Sequence, residues 1–472
     1  MTMDVGLLSR VLWRLRALRA RDRWTHDALR RHQQQALRAL RDHAYAGSRF
    51  YRQLHRGLED APLECLPTVT KAQLMERFDD ASTDPALTLA GVEAHAAVMA
   101  ERNAADLYLG RYRVNATSGS TGRRGLFVFD RAEWAWVIAS FARPQEWAGA
   151  RVSLGHRRKT VTVASTTPWH MSSQVADTVR SPFVDSQRIS AATPLAEIGS
   201  RLNEAQPEVL IAYASMMRLL ADEALSGRLR IAPAQVFTSS EPLTEESRRR
   251  IEQAWGKVLF DQYATTECGS LAMECERHTG LHLAEDLTLV EVVDGDNRPV
   301  APGGFGEKVL ITALFSRTLP LIRYEISDSV RLAARPCSCG RPFALLDAVQ
   351  GRLEDILELP GADGGTVRVH PHVFHRIMDT VPVTAWQVAQ EPAALRLRLA
   401  APPSRPIDTA ALVAALRSSL AAQGVAALPI EAERVDAIPR TASGKAPLVV
   451  ALRPAAAAPA VSTGGGTEHA GV

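Results

Sequence analysis

Apolar positions at the start of the chain fall at helical spacing. Leu7, Leu8, Val11, Leu12, Leu15 and Leu18 recur every three or four residues, with Arg10, Arg14 and Arg16 between them. That period predicts an amphipathic helix, and a second such run from Thr25 to Leu54 makes residues 1–56 helical. The first segment reads as a docked helix, with a transit peptide or a membrane-surface helix as the other readings of the same spacing. Pro62, Pro67 and Pro85 then punctuate the chain. From about residue 113 the period changes, and short β-branched runs alternate with longer helical stretches. Gly125–Phe129, Thr160–Ser165, Val209–Tyr213, Gln235–Thr238 and Val258–Phe260 are the predicted strands. Strands separated by helices predict an α/β fold.

After residue 280 strands dominate. Thr288–Val293 and Glu307–Thr312 flank the turn-rich Asp294–Gly306 and predict a β subdomain over about 280–350 within an N-terminal domain of residues 1–351. A strand pair across Trp386–Leu399, a helix over Asp408–Ala422 and a strand at Ile430–Val435 then predict a small α+β domain, residues 352–453. The stretch 454–472 is Ala, Gly, Ser and Thr with almost no large apolar side chains, too little to offset its ordering entropy, so a disordered tail is expected.

Composition narrows the classes. With 472 residues, 46% hydrophobic and 23% charged, the chain is neither a small disulfide scaffold nor wholly disordered. Basic residues exceed acidic ones by only three, which does not point to nucleic acid. No apolar run approaches the roughly 18 residues of a membrane span. Five cysteines, an odd number without a secretory signal, predict a reducing, cytoplasmic setting. Fifty of the 55 basic residues are arginine; the five lysines are Lys71, Lys159, Lys257, Lys308 and Lys445. Lysine is a compact point charge that arginine does not replace, so each lysine is an exception to a strong local bias.

Five segments can carry chemistry. In Asn115-Ala-Thr-Ser-Gly-Ser-Thr-Gly122, the glycines allow backbone N–H groups to converge on an anion, hydroxyls add donors, and Arg123 and Arg124 follow. A solvated Ser/Gly linker has the same composition. Asp261-Gln-Tyr-Ala-Thr-Thr-Glu267 places a ring, two hydroxyls and a carboxylate at a strand end, where ligands gather in open α/β sheets; a capped helix start with Tyr263 in the core is the other reading. Asp328 and Arg352 lie on either side of the expected domain boundary and suit either a sugar or a surface ion pair. Pro439-Arg-Thr-Ala-Ser-Gly-Lys445 is a compact loop ending in one of the rare lysines.

In order and spacing, these segments resemble the adenylate-forming superfamily of acyl-CoA synthetases, nonribosomal adenylation domains and luciferases. The likeness spans about residues 110–450: Thr117–Gly122, Tyr263–Glu267, Asp328, Gly351–Asp355 and Pro439–Lys445. Tyr51, Leu66-Pro67, Lys71, Cys275, Gly280-Leu281-His282 and Cys337-Ser-Cys-Gly-Arg341 resemble the phenylacetate–CoA ligase group. The resemblance implies a large domain holding ATP and a carboxylic acid, and a small mobile domain that rotates between adenylation and thioester formation. It implies that Thr117, Ser118, Gly119, Ser120, Thr121 and Gly122 cradle the β,γ-phosphates, that Thr266 meets the α-phosphate and that Glu267 holds Mg²⁺. Tyr263 would stack on adenine with Glu241 nearby, Asp328 and Arg352 would hold ribose, and Glu354 would mark the hinge. Lys445 would bridge the acid and the α-phosphate, and Ser239, Trp169 and His170 would border the acid, although Trp169 and His170 are equally readable as core residues. The expected thiol is coenzyme A, with a carrier protein, release of the adenylate, or a non-catalytic homologue as alternatives; the acid is expected to be aromatic. Departures are also visible. Arg124 and Gly125 replace the family's proline and lysine, and serine stands in Ser239-Ser-Glu-Pro242 where a glycine is usual.

Cys275, His282, Cys337 and Cys339 offer four soft donors suited to tetrahedral Zn²⁺, with His278 competing for the fourth position. Four protein ligands leave no open position, so such a zinc would be structural. Three buried thiols without metal are the alternative. The sequence is silent on oligomeric state.

Overall fold

The computed structural model describes residues 4–117, 124–150, 157–178, 184–352, 357–369, 372–378, 381, 383, 385–401, 406–441 and 445–452. Ser118, Gly119, Ser120, Thr121, Gly122, Glu354 and the tail 454–472 therefore lie outside the described residues, as does the side chain of Arg352.

The N-terminal periodicity becomes the helices Val5–Arg21, His26–Gly47 and Arg49–Leu54. Asp4 caps the first by accepting from the Leu7 amide, and Leu7, Val11, Leu15 and Leu18 are buried against the helix Arg131–Trp147. That contact favours the docked-helix reading. The helix Arg131–Trp147 starts at a reciprocal cap, in which Asp130 accepts from the Glu133 amide while Glu133 accepts from the Asp130 amide. Among the described residues, no helix is long and apolar enough to cross a membrane.

A nine-stranded mixed sheet organises the molecule. Its order is Asp328–Leu332, Leu345–Arg352, Leu281–Leu283, Gly269–Glu274, Leu259–Thr265, Gln235–Ser239, Val209–Tyr213, Arg158–Ala164 and Val184–Ser190. The last five strands are parallel and the first five antiparallel to their neighbours. The parallel part is legible as continuous apolar runs because helices cover its strands: Val161, Leu210 and Val236 pack with Ile198, Met217 and Ile251 of the helices Leu195–Ala205, Ala214–Leu225 and Glu245–Trp255. Strands between residues 280 and 352 divide between two sheets. Thr288–Val293, Lys308–Ala313 and Tyr324–Ile326 form a separate three-stranded sheet, whereas Leu281–Leu283, Asp328–Leu332 and Leu345–Arg352 extend the large one.

Residues from Leu357 to Val449 build a third core around a four-stranded sheet, ordered Ile430–Val435, Leu395–Ala400, Ala385–Gln390 and Val449–Val450, with the helices His372–Met378 and Thr409–Ala421. The alternation seen in Trp386–Leu399 is its central antiparallel pair, with Trp386 opposite Leu399.

Candidate active site

The carboxyl ends of the parallel strands open into a cavity of about 1260 Å³, lined among others by His170, Tyr213, Ser239, Glu241, Tyr263 and Lys445. Arrival of several chain segments at the carboxyl edge of one sheet follows from parallel topology, since every strand points the same way and every loop leaves at the same edge.

The strand Leu259–Thr265 runs further than its sequence suggested, so Tyr263 lies within it, opposite Ala272. Its hydroxyl donates to Asp328 Oδ2 at 2.5 Å, tying together two residues 65 positions apart. Thr266 and Glu267 follow the strand, are half-buried and line the same cavity. Asp328 is buried and sits opposite Arg352 in the antiparallel register, so the two residues expected to meet one sugar are neighbours in the sheet. Two hydrogen bonds close the neck of the serine–glycine loop: the Thr117 amide donates to the Gly125 carbonyl at 2.9 Å, and the Gly125 amide donates to Thr117 Oγ1 at 2.8 Å. Thr117 lines the cavity.

Ser239 ends its strand at the cavity edge, and the next residue, Ser240, holds φ at 70°, a left-handed conformation that serine adopts rarely. His170 also lines the cavity; burial, then the charges of Lys445 and Arg124, push its imidazole down to about 4. It is therefore a neutral hydrogen-bonding group near neutral pH. Trp169 lies outside the cavity lining: its carbonyl accepts from the Ala116 amide at 3.0 Å and its ring carries the Arg124 guanidinium 5.2 Å from the centroid. The Lys445 ammonium lies 5.7 Å from the Tyr213 ring centroid, a cation–π distance. Tyr213 Oη accepts from the Ser165 amide at 2.8 Å.

Three further residues belong to the site. Lys71 lines the cavity from the helix Lys71–Glu76, and a Cβ built on Gly125 would meet its Cδ at 3.4 Å. A lysine stem therefore occupies the flank of a position where the resembling family carries its own lysine. The rarity of lysine in this chain was the available signal. Tyr213 and Arg440 also line the cavity; Tyr213 stood out in sequence only as the end of an apolar strand, and Arg440 only as part of the loop that ends at Lys445.

Away from the cavity lining, Cys275, His282, Cys337 and Cys339 bring one donor atom each to within 4.8 Å of the others. Cys275 and Cys337 sulfurs are 3.8 Å apart, and Cys339 Sγ is 3.3 Å from His282 Nε2. Zinc–sulfur bonds of about 2.3 Å in a tetrahedron imply a sulfur–sulfur edge of about 3.8 Å. Burial pushes the Cys275 thiol up to about 12 and the His282 imidazole down to about 4, leaving the latter as the neutral ring a metal requires. His278 does not join the cluster; its Nδ1 faces Glu274 at 3.4 Å and its ring packs on Phe260.

No protein-family model matches the chain. A phenylacetate-coenzyme A ligase of Pseudomonas putida is 27% identical over 367 residues, which cover 74% of this chain and 76% of that relative. Among solved structures, 2-hydroxyisobutyryl-CoA ligase in its postadenylation state superposes with a TM-score of 0.68 at 21% identity, over 92% of this chain and 91% of that one. The chain has the fold of an adenylate-forming CoA ligase. The same 2-hydroxyisobutyryl-CoA ligase in its thioesterification state superposes on this ligase fold with a TM-score of 0.57 at 18% identity, covering 92% of each chain.

Proposed function

We propose that the chain activates a carboxylic acid with ATP and passes the acyl group to a thiol, coenzyme A being the preferred acceptor. One observation carries this reading: Thr117, the Tyr263–Glu267 segment, Asp328 and Lys445, spread over more than three hundred residues, line one cavity. In the first half-reaction a carboxylate oxygen bonds to the α-phosphorus, the α–β anhydride bond breaks, and pyrophosphate leaves. In the second, a thiolate attacks the acyl carbon and AMP leaves.

Attack of one anion on another is opposed by charge, so catalysis here is chiefly positioning and neutralisation. Lys445 supplies a point charge between acid and phosphate. Tyr263, anchored by Asp328, offers a ring face to the base, while Asp328 and Arg352 take the ribose. Thr117 and the loop it closes, Ser118 to Gly122, take the phosphates, with Thr266 at the α-phosphate. The Glu267 carboxylate is the hard oxygen donor that a Mg²⁺ accompanying ATP would use, and that ion would spread the phosphate charge. His170 and Ser239 border the acid; His170 contributes a hydrogen bond and not a second cation. Glu354 is assigned to a hinge between residues 1–351 and a small domain, 352–453. The likeness to a phenylacetate ligase makes aryl acids the first substrates to test. The Cys275, His282, Cys337 and Cys339 cluster fits a structural zinc that fastens the hairpin of Gly269–Glu274 and Leu281–Leu283 to the 337–341 turn.

ATP–pyrophosphate exchange across a panel of aryl and fatty acids, followed by mass spectrometry of the best acid with and without coenzyme A, tests the assignment. One acid is expected to drive exchange, and its thioester to appear only with coenzyme A. Lys445→Ala is expected to slow exchange by roughly 10²–10³-fold, the scale of removing one transition-state charge partner. An unchanged rate in that variant would remove the lysine from the mechanism.

A further inference from the structure

Glu241 lies at the cavity edge, just past the strand Gln235–Ser239, and its two oxygens do different things. Oε2 accepts from the amide of Ser215, the second residue of the helix Ala214–Leu225, at 2.9 Å. Oε1 accepts from the amide of Ala446 at 2.8 Å, across 205 residues of sequence. Ala446 is the residue after Lys445 and is 7% exposed. The Lys445 main chain is fixed from its other side too: its carbonyl accepts from the Thr441 amide at 2.8 Å, and its own amide donates to Thr441 Oγ1 at 3.2 Å. Beyond it, the Pro447 carbonyl accepts from Gln387 at 2.9 Å and the Leu448 carbonyl from the Val388 amide at 2.8 Å, which joins the segment to the four-stranded sheet.

We propose that Glu241 is a positioning residue that holds Lys445 at the reacting phosphate by clamping the peptide immediately after it to the start of the helix Ala214–Leu225. This rests on the ligase reading above. The lysine side chain has four rotatable bonds and much conformational entropy to lose, so its ammonium reaches one place reliably only if its main chain is held. A carboxylate suits that task because each oxygen can take one N–H, both bonds are charge-assisted, and the positive end of the helix favours the negative charge. Arg440, on the same loop, is close enough to feel the Glu241 charge. The resembling family's pattern assigned Glu241 to the nucleotide. The geometry instead commits both of its oxygens to main-chain groups, one at the start of the helix Ala214–Leu225 and one in the segment that leads into the four-stranded sheet. A clamp made of one side chain can also open without disturbing either element, which a lobe that must move requires.

The test is a double-mutant cycle on the full chain, read by ATP–pyrophosphate exchange with the best acid: parent, Glu241→Ala, Lys445→Ala and the double variant, each with a thermal melt. Glu241→Ala is expected to lower kcat about tenfold while KM for ATP stays within about twofold, the scale of one lost charge-assisted hydrogen bond. In the Lys445→Ala background the same change should have almost no further effect, because no ammonium remains to be placed. Glu241→Gln, which keeps one accepting oxygen, should fall between, and it carries the test if the alanine variant fails to fold. A loss that persists in full in the double variant, or a rise in KM for ATP at constant kcat, would overturn the clamp and return Glu241 to nucleotide binding. If Lys445→Ala exchanges at the parental rate, the lysine assignment in the ligase reading falls, and the clamp falls with it for want of anything to position.

Discussion

Asp261 sits two residues before Tyr263 and accepts from the Thr238 hydroxyl at 2.7 Å, while its own amide donates to Glu274 at 3.0 Å. Burial, then the neighbouring Glu274 carboxylate, pushes it up to about 7. An unfolded aspartate titrates near 3.9. Between those values the folded chain holds a proton that the unfolded chain has released, so stability falls as pH rises from about 4 to about 7 and levels off above. Asp261→Asn keeps an oxygen for Thr238 and removes the titration. Its stability advantage over the parent should therefore be larger at pH 8 than at pH 4.5 when both proteins are unfolded in urea, and a variant whose stability falls with pH as steeply as the parent's would contradict the assignment. His170 behaves in the opposite sense: near neutral pH it is already uncharged, so its charge state does not change the field that Lys445 supplies. Neither shift is visible in sequence, because each arises from neighbours brought close by folding.

At the scale of elements, the cysteine–histidine cluster joins the Gly269–Glu274 and Leu281–Leu283 hairpin to residues 337–339, beside the strand Leu345–Arg352. If zinc fills it, purified protein contains about one zinc per chain. Cys339→Ala should then lose most of that metal and melt roughly 5 °C or more lower, since a ligand bound only by the folded state stabilises it by mass action. Metal at trace levels in the parent would leave three thiols and an imidazole packed without an ion. The order of these strands was only partly readable. Val209–Tyr213 and Thr288–Val293 show their period directly and form as expected. Val184–Ser190 was missed because it lies at the sheet edge, where among the described residues one side lacks a neighbouring strand, and its residues are mostly half-buried and polar. Leu281–Leu283 is three residues long, too short for any alternation to show.

For the whole molecule, the core running from Leu357 to Val449 shares none of the described residues with the two larger cores. Among the described residues, links across to that core include the Glu241 bond, the Arg218 contact with the Val383 carbonyl at 3.4 Å and an ion pair between Arg368 and Glu307 at 3.7 Å. Separate cores of this kind are expected to unfold in separate steps, and calorimetry is expected to resolve at least two transitions; a single transition at every scan rate would mean that the lobes melt as one. Of the candidate site, Tyr263, Glu267, Asp328 and Lys445 were legible as residues of motifs that resemble those of a known family, and all four line the cavity. The parallel strands were legible because burial on both faces writes an apolar run into a single segment. Tertiary structure alone decided that the Tyr263 hydroxyl meets Asp328, that Lys71 lies against Gly125, that His282 and not His278 joins the cysteines, and that Glu241 grips the peptide beside Lys445. Local periodicity records how much of each segment is buried. Pairings across tens to hundreds of residues are fixed by strand order and by which loops share an edge, and no short stretch of sequence encodes either.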